Sequence, residues 1–300
     1  MRSDMSSNSG EPVLVDKEKG LFSVRVGFNK ANGEYVELTA IYQDNLPSGS
    51  PVGTVVTLHG SPGSHSDFKY VLPHLTKRNI RMIGVNYPAF GYSEDLAGLS
   101  YDDEERDAFT RALLDKLDLP KKLLAISFIA VYYENIIFMG HSRGTINALN
   151  MSGHNLDRSI GTVMVNPPGL RIHRRARPLY VLQAFGPIYR YFTFLQPLLH
   201  WFLLKLYNFI GLRLRSGRVA AVCVHSIEQM YLEIQRVALK HLNQNGTKRT
   251  LLVYSCNDFL IEPEISREFV EEFHDSTIIV CKSSADDEEE TKRVTNNMNE

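Results

Sequence analysis

The chain has 300 residues, 43% of them hydrophobic, and a formal net charge of −1. That length holds a full core, as one large domain or as a domain carrying an insertion, and the charge balance excludes any general attraction for nucleic acid. Cys223, Cys256 and Cys281 form no C-x-x-C pair, which argues against a disulfide framework or zinc knuckle and fits a reducing compartment.

Residues 1–20 are polar and lack the apolar core of a signal peptide, so they read as a disordered N-terminus of a cytoplasmic, non-secreted protein. Leu21–Phe28 and Glu34–Tyr42 alternate about an Asn-Gly pair and read as an antiparallel hairpin. Gly53–Gly60 and Ile80–Pro88 are near-continuous apolar runs, the pattern of buried parallel strands. A short helix interrupted near Pro73 lies between them. The stretch YDDEERDAFTRALLDKLDL opens with acids and continues at helical spacing, so it reads as a helix. Further strands are expected at ENIIFMG, Ser159–Gly169, Arg249–Asp258 and Ser276–Cys281, with helices from Gly144 and over about 264–273. Alternating strands and helices predict a mostly parallel central sheet with helices on both faces. The apolar run Lys121–Tyr133 fits this scheme poorly, because such connections are normally a few residues long. It lengthens the preceding helix, adds an element, or is an insertion.

Two motifs carry chemistry. Gly140-His141-Ser142-Arg143-Gly144 stands between a strand and a helix. A G-x-S-x-G in that setting forms a sharp turn that presents the serine, with the next backbone N–H available to an oxyanion. Ser142 is thus the candidate nucleophile and Arg143 N–H one oxyanion donor. The second motif, Leu58–Ser64, is a glycine-rich loop at a strand end containing Gly60. It can bring Ser61 N–H to the same oxyanion. An acid is expected after a later strand, and Asp258 follows its strand directly. The alternative for Asp258 is turn initiation or helix capping. The site after the preceding strand offers Asn166 and no carboxylate.

These residues resemble the α/β-hydrolase superfamily, in a branch pairing H-G-S-P-G-S with G-H-S-R-G. The resemblance runs from about Leu21 to Cys281 and is most specific at Leu58–Phe68, Ile80–Ser93 and Asn135–Leu149. Asn86–Glu94 is similar to the family's Pro-Gly-Phe-Gly loop, with Ala89 for the first glycine. The resemblance implies an α/β-hydrolase core at 21–169 and 249–282, a helical cap at 170–248 and an acidic tail at 283–300. It gives His59 and His141 shaping roles. It implies hydrolysis of esters, amides or related bonds, and serine as nucleophile argues against the epoxide hydrolases.

The family's catalytic histidine follows the last strand, and here no histidine lies beyond Cys281. His274 precedes that strand, and a strand of about five residues spans roughly 17 Å, beyond hydrogen-bond reach of Ser142. His65, His200, His225 and His241 are the other substitutes. The tail itself reads as a solvated helix or disordered segment: Ser284 can cap it, and Asp286–Glu290 favour its start.

Within the cap, 171–218 holds nine Lys/Arg and no Asp or Glu, around a long apolar run. A membrane span is disfavoured by Pro197, His200 and Lys205. A cap packed on the core and a lid that also touches anionic lipid both remain. The reading is a serine hydrolase for an apolar ester or acyl substrate, with Ser and Asp present and His absent. The alternative is a catalytically inactive binding or lipid-associated protein. The ligand is a small apolar or lipid-like molecule, and no metal cluster or phosphate loop calls for a cofactor.

Overall fold

A computed structural model describes residues 11–117, 135–174, 179–228, 230, 232–244, 249–255, 258, 260–273, 278–283 and 290–294. The run Lys121–Tyr133 and His274 lie outside them.

The described strands are β1 (Val13–Asp16), β2 (Leu21–Asn29), β3 (Tyr35–Asp44), β4 (Thr54–Leu58), β5 (Arg81–Val85), β6 (Ile136–His141), β7 (Ser159–Val165), β8 (Arg249–Ser255), β9 (Ile278–Ser283) and β10 (Glu290–Val294). They form one sheet in the order β1-β2-β3-β5-β4-β6-β7-β8-β9-β10. The pairings from β5 to β9 are parallel, and those at either side are antiparallel. Every residue of β4 and β5 is buried, as their near-continuous apolar runs predict, with the Arg81 charge met by Asp44.

Both termini differ from the sequence reading. Val13–Asp16, inside the stretch expected to be disordered, pairs with β2 through backbone bonds while Val13, Leu14 and Val15 stay exposed. Glu290–Val294, expected as a helix or disordered, is an antiparallel partner of β9. Glu-Thr-Lys-Arg-Val combines β-branched residues with charge, a composition suited to an edge strand.

The described helices are α1 (Leu72–Thr76), α2 (Asp103–Lys116), α3 (Gly144–His154), α4 (Leu179–Tyr191), α5 (Gln196–Phe209), α6 (Gly217–Glu228), α7 (Leu232–Gln244) and α8 (Pro263–Glu271). Pro73 lies in the first turn of α1, where its missing N–H costs nothing. Helix α2 starts where Asp102 caps it, accepting the Glu105 N–H at 2.8 Å, and it buries Phe109, Leu113 and Leu114. On the α2 face of the sheet, Val56, Leu58, Ile83 and Val85 join one core cluster. On the opposite face, a side chain at Gly84 would meet His65 Cβ, so the 3-10 turn His65–Phe68 covers that side.

Helices α4, α5 and α6 lie in the 170–248 stretch that the resemblance assigns to a cap. Buried residues of α5 and α6, including Leu203, Ala221 and Val224, belong to the same cluster as the sheet. Helix α7, assigned by the sequence to the 170–248 cap, packs elsewhere. Its Leu239 and Leu242 cluster with Leu149 of α3, Leu252 of β8 and Phe269 of α8. Its apolar stripe is matched by the neighbouring helices of the core layer.

Candidate active site

The elbow is a local consequence of its residue types. Strand β6 ends at His141, α3 begins at Gly144, and Ser142 between them holds φ +51° in the left-handed region. Its N–H donates to Val165 O at 2.8 Å, which fastens the turn to β7. A Cβ on Gly140 would lie 2.4 Å from Gly144 O, and one on Gly144 would lie 2.1 Å from Leu58 O. Both contacts are with backbone that cannot yield, so only glycine serves at either place.

The Leu58–Ser64 loop lies against this turn: a side chain on Gly60 would reach Ser142 Cβ at 3.0 Å. His59 holds the loop. Its Nδ1 donates to Gly60 O at 2.7 Å and its Nε2 accepts the Tyr87 N–H at 3.1 Å. Complete burial, aided by the Arg106 charge, pushes its pKa down to about 3, so the ring is neutral. Arg106 donates to His59 O at 2.5 Å and stacks on the Tyr87 ring at 3.7 Å. Ala89, where the resemblance expects glycine, holds φ +69°.

Arg143 has a second part to play through its buried side chain. Its guanidinium stands 2.9 Å from Asp103 at the start of α2, donates to Tyr101 O at 3.0 Å and bonds to Ser226 of α6. The Asp103 contact is coulombic, because the N–H does not aim at the carboxylate. Ser226 Oγ in turn donates to Ser61 Oγ at 3.0 Å. One chain of contacts thus joins the residue after Ser142, helix α6 and the glycine-rich loop. Cys223, one turn before Ser226, is buried and its thiol is pushed up to about 12 by desolvation, so it is inert. Helix α6 lies across the candidate oxyanion loop. Beside it, a groove of about 350 Å³ runs between Pro62–Asp67, Ala89–Tyr92 and the segment leading into α6.

His141 is half-buried, and its Nδ1 stands 3.4 Å from Asp67 Oδ2. Burial raises the Asp67 pKa, but the His141 bond, the neighbouring His59 and His141 imidazoles and the Ser64 N–H outweigh it, and the net shift is downward. Among the described residues no imidazole bonds to Asp258. Its Oδ1 accepts the N–H groups of Leu260 at 2.7 Å and Ile261 at 3.0 Å, as a turn-forming aspartate does. Asn166, at φ +46°, accepts the Ser255 N–H and ties the ends of β7 and β8. The other histidines have partners of their own: His65 with Asn86, His200 with Tyr189, His225 with Glu228. Among the described residues no group of three His, Cys, Asp or Glu could hold a metal ion.

Of the residues that the sequence reading put in the site, the structure brings Gly60, Ser61, Gly140, His141, Ser142, Arg143 and Gly144 to one place, and it leaves Asp258, expected there as the acid, in a separate turn. The sequence reading missed Asp103, Ser226 and Asp67. The acids of Asp-Asp-Glu-Glu were legible only as a helix start, and nothing local marks one of them as the partner of an arginine 40 positions on.

The family described as "Alpha/beta hydrolase of unknown function (DUF1057)" matches residues 18–300. An uncharacterized protein of Caenorhabditis elegans, F35H12.5, is 31% identical over 261 residues, 84% of this chain and 69% of that protein. The AB hydrolase superfamily protein YisY of Bacillus subtilis is 31% identical over 97 residues, 31% of this chain and 34% of its own length. Among solved structures, a thermophilic esterase from Thermogutta terrifontis is similar with TM-score 0.60 at 16% identity, covering 87% of this chain and 89% of that one. A haloalkane dehalogenase from Agrobacterium tumefaciens is similar with TM-score 0.57 at 18% identity, covering 88% and 89%. The fold is therefore shared across several chemistries, and by the match over nearly its whole length this chain belongs to the alpha/beta hydrolase family of unknown function.

Proposed function

We propose that the chain is a serine hydrolase of apolar ester or acyl substrates, with Ser142 as nucleophile and the Ser61 and Arg143 N–H groups as oxyanion donors. The observation that carries this reading is the left-handed backbone of Ser142 between two glycines that admit no side chain. Strain of this kind persists where the surroundings enforce it and function uses it. An esterase among the similar folds supports the same class.

In the reaction, Ser142 Oγ adds to the substrate carbonyl carbon and its proton passes to a base. The carbonyl oxygen becomes the oxyanion. Collapse expels the leaving group, which takes the proton, and water then hydrolyses the acyl-enzyme. The base is to be sought at His141, the half-buried imidazole beside Ser142 in the chain, with Asp67 as its carboxylate partner. Their 3.4 Å separation is long for a bond, as catalytic contacts often are without substrate. One observation favours the second reading, a binding protein without chemistry: Asp258 is engaged by two backbone N–H groups and no described histidine bonds to it.

A fluorophosphonate probe tests both. Labelling is expected in the parent and absent in Ser142→Ala, and His141→Gln should slow it by roughly 10²-fold or more. An unchanged rate in His141→Gln moves the base elsewhere. A cooperatively folding parent that never labels supports the binding protein.

A further inference from the structure

Helix α5 is buried along one side only. Leu203 and Tyr207 pack into the core beside α6, at 6% and 7% exposure. On its outer side Leu198, Trp201, Phe202, Leu206 and Phe209 are 61, 61, 53, 41 and 89% exposed. Their spacing of three, four, eight and eleven from Leu198 puts them on one continuous face. A monomer rarely leaves so many large apolar side chains together in water, and such a patch marks an interaction surface.

The charge around it selects the partner. Residues 171–218 carry nine Lys/Arg and no Asp or Glu, although the whole chain is near neutral. Three of these basic residues, Arg171, Arg174 and Arg218, face Glu268, Glu262 and Asp95, whereas Lys205 on α5 and Arg213 just beyond it are exposed. An apolar face with tryptophan, bordered by lysine and arginine, is the composition of a helix lying in the headgroup region of an anionic bilayer. We infer that the outer face of α5 is a docking surface for an anionic lipid membrane. The helix lies on the bilayer and does not cross it, since among the described residues no helix is long and apolar enough to span. This inference rests on α5 and its flanks, and is independent of whether Ser142 is reactive.

Trp201 is the single tryptophan of the chain, so its emission reports directly on the face. The full chain is mixed with phosphatidylcholine vesicles containing about a third phosphatidylserine, or with phosphatidylcholine alone. A blue shift, quenching by bromine-labelled lipid and co-sedimentation are expected with the anionic vesicles, with partitioning roughly tenfold weaker for the neutral ones. Phe202→Glu and Leu198→Ser, both at exposed positions, should each lower partitioning, the glutamate by roughly tenfold or more. Ser142→Ala should bind as the parent does, so loss of hydrolysis and loss of docking are read separately. Absence of both shift and co-sedimentation in a cooperatively folding protein overturns the inference. So does a lipid-free dimer that Phe202→Glu converts to a monomer, which would assign the face to a second copy of the chain.

Discussion

At the scale of single residues, the elbow depends on atoms that are missing. The Gly144 hydrogen points at Leu58 O, and a methyl group there would sit 2.1 Å from it. Gly144→Ala must push β4 and α3 apart, and is expected to cost at least about 3 kcal/mol and to abolish probe labelling. Gly153 lies in the same helix, where a Cβ would meet its nearest atom at an ordinary 3.6 Å. Gly153→Ala is therefore expected to be neutral, or stabilising by up to about 1 kcal/mol. Urea unfolding of the two variants separates them, and equal losses would mean that the close approach at Gly144 is relieved cheaply. This part of the site was legible because the motif states the requirement directly. The identity of the base was not, because the histidine position that the resemblance points to is empty in this chain.

At the scale of elements, three helix ends meet at Arg143. The guanidinium lies at the start of α3, Asp103 at the start of α2, and Ser226 near the end of α6. The side chains of Arg143 and Asp103 are 4% and 0% exposed. At such burial the ion pair is no guarantee of stability, but removing one partner leaves an uncompensated charge. Asp103→Ala is expected to destabilise by about 3–5 kcal/mol, and pairing it with Arg143→Met should recover part of that loss. Chemical denaturation of the single and double variants reads this, and simple addition of the losses would deny the coupling. Each helix was predictable from its own periodicity, but their meeting was not. Ser226 and Ser61 are 165 positions apart, and no local pattern joins them.

At the scale of the molecule, two buried groups oppose each other in acid. His59 is held near pKa 3 against an ordinary 6.5, so below about pH 6.5 the unfolded chain takes up a proton that the folded chain refuses. Its stabilisation is complete above 6.5 and is lost as pH falls toward 3, at roughly 1.4 kcal/mol per pH unit. Asp107, buried and bonded to Asn147 and Asn150, is pushed up to about 7 by desolvation. Its contribution is complete below the ordinary 3.8 and is lost as pH rises toward 7. His65 and Asp67 act in the sense of His59, and Glu105 in the sense of Asp107. Asp107→Asn removes one side of the balance. Between about pH 4 and 6.5 its stability should fall with acid more steeply than the parent's, by about one proton. Identical pH slopes in urea titrations would show that Asp107 ionises normally.

The sequence by itself determined the α/β alternation, the strands from β2 to β9, the capped start of α2 and the elbow. Each of these follows from period, turn chemistry or close backbone approach among near neighbours in the chain. The tertiary structure decided what those elements do to one another. It sent Arg143 to Asp103 and Ser226, laid α6 across the glycine-rich loop, packed α7 against the core layer and left one face of α5 bare. Those outcomes depend on which surfaces meet once the chain has folded back on itself. Burial and pairing between distant segments are set by the whole packing, and no window of local sequence contains them.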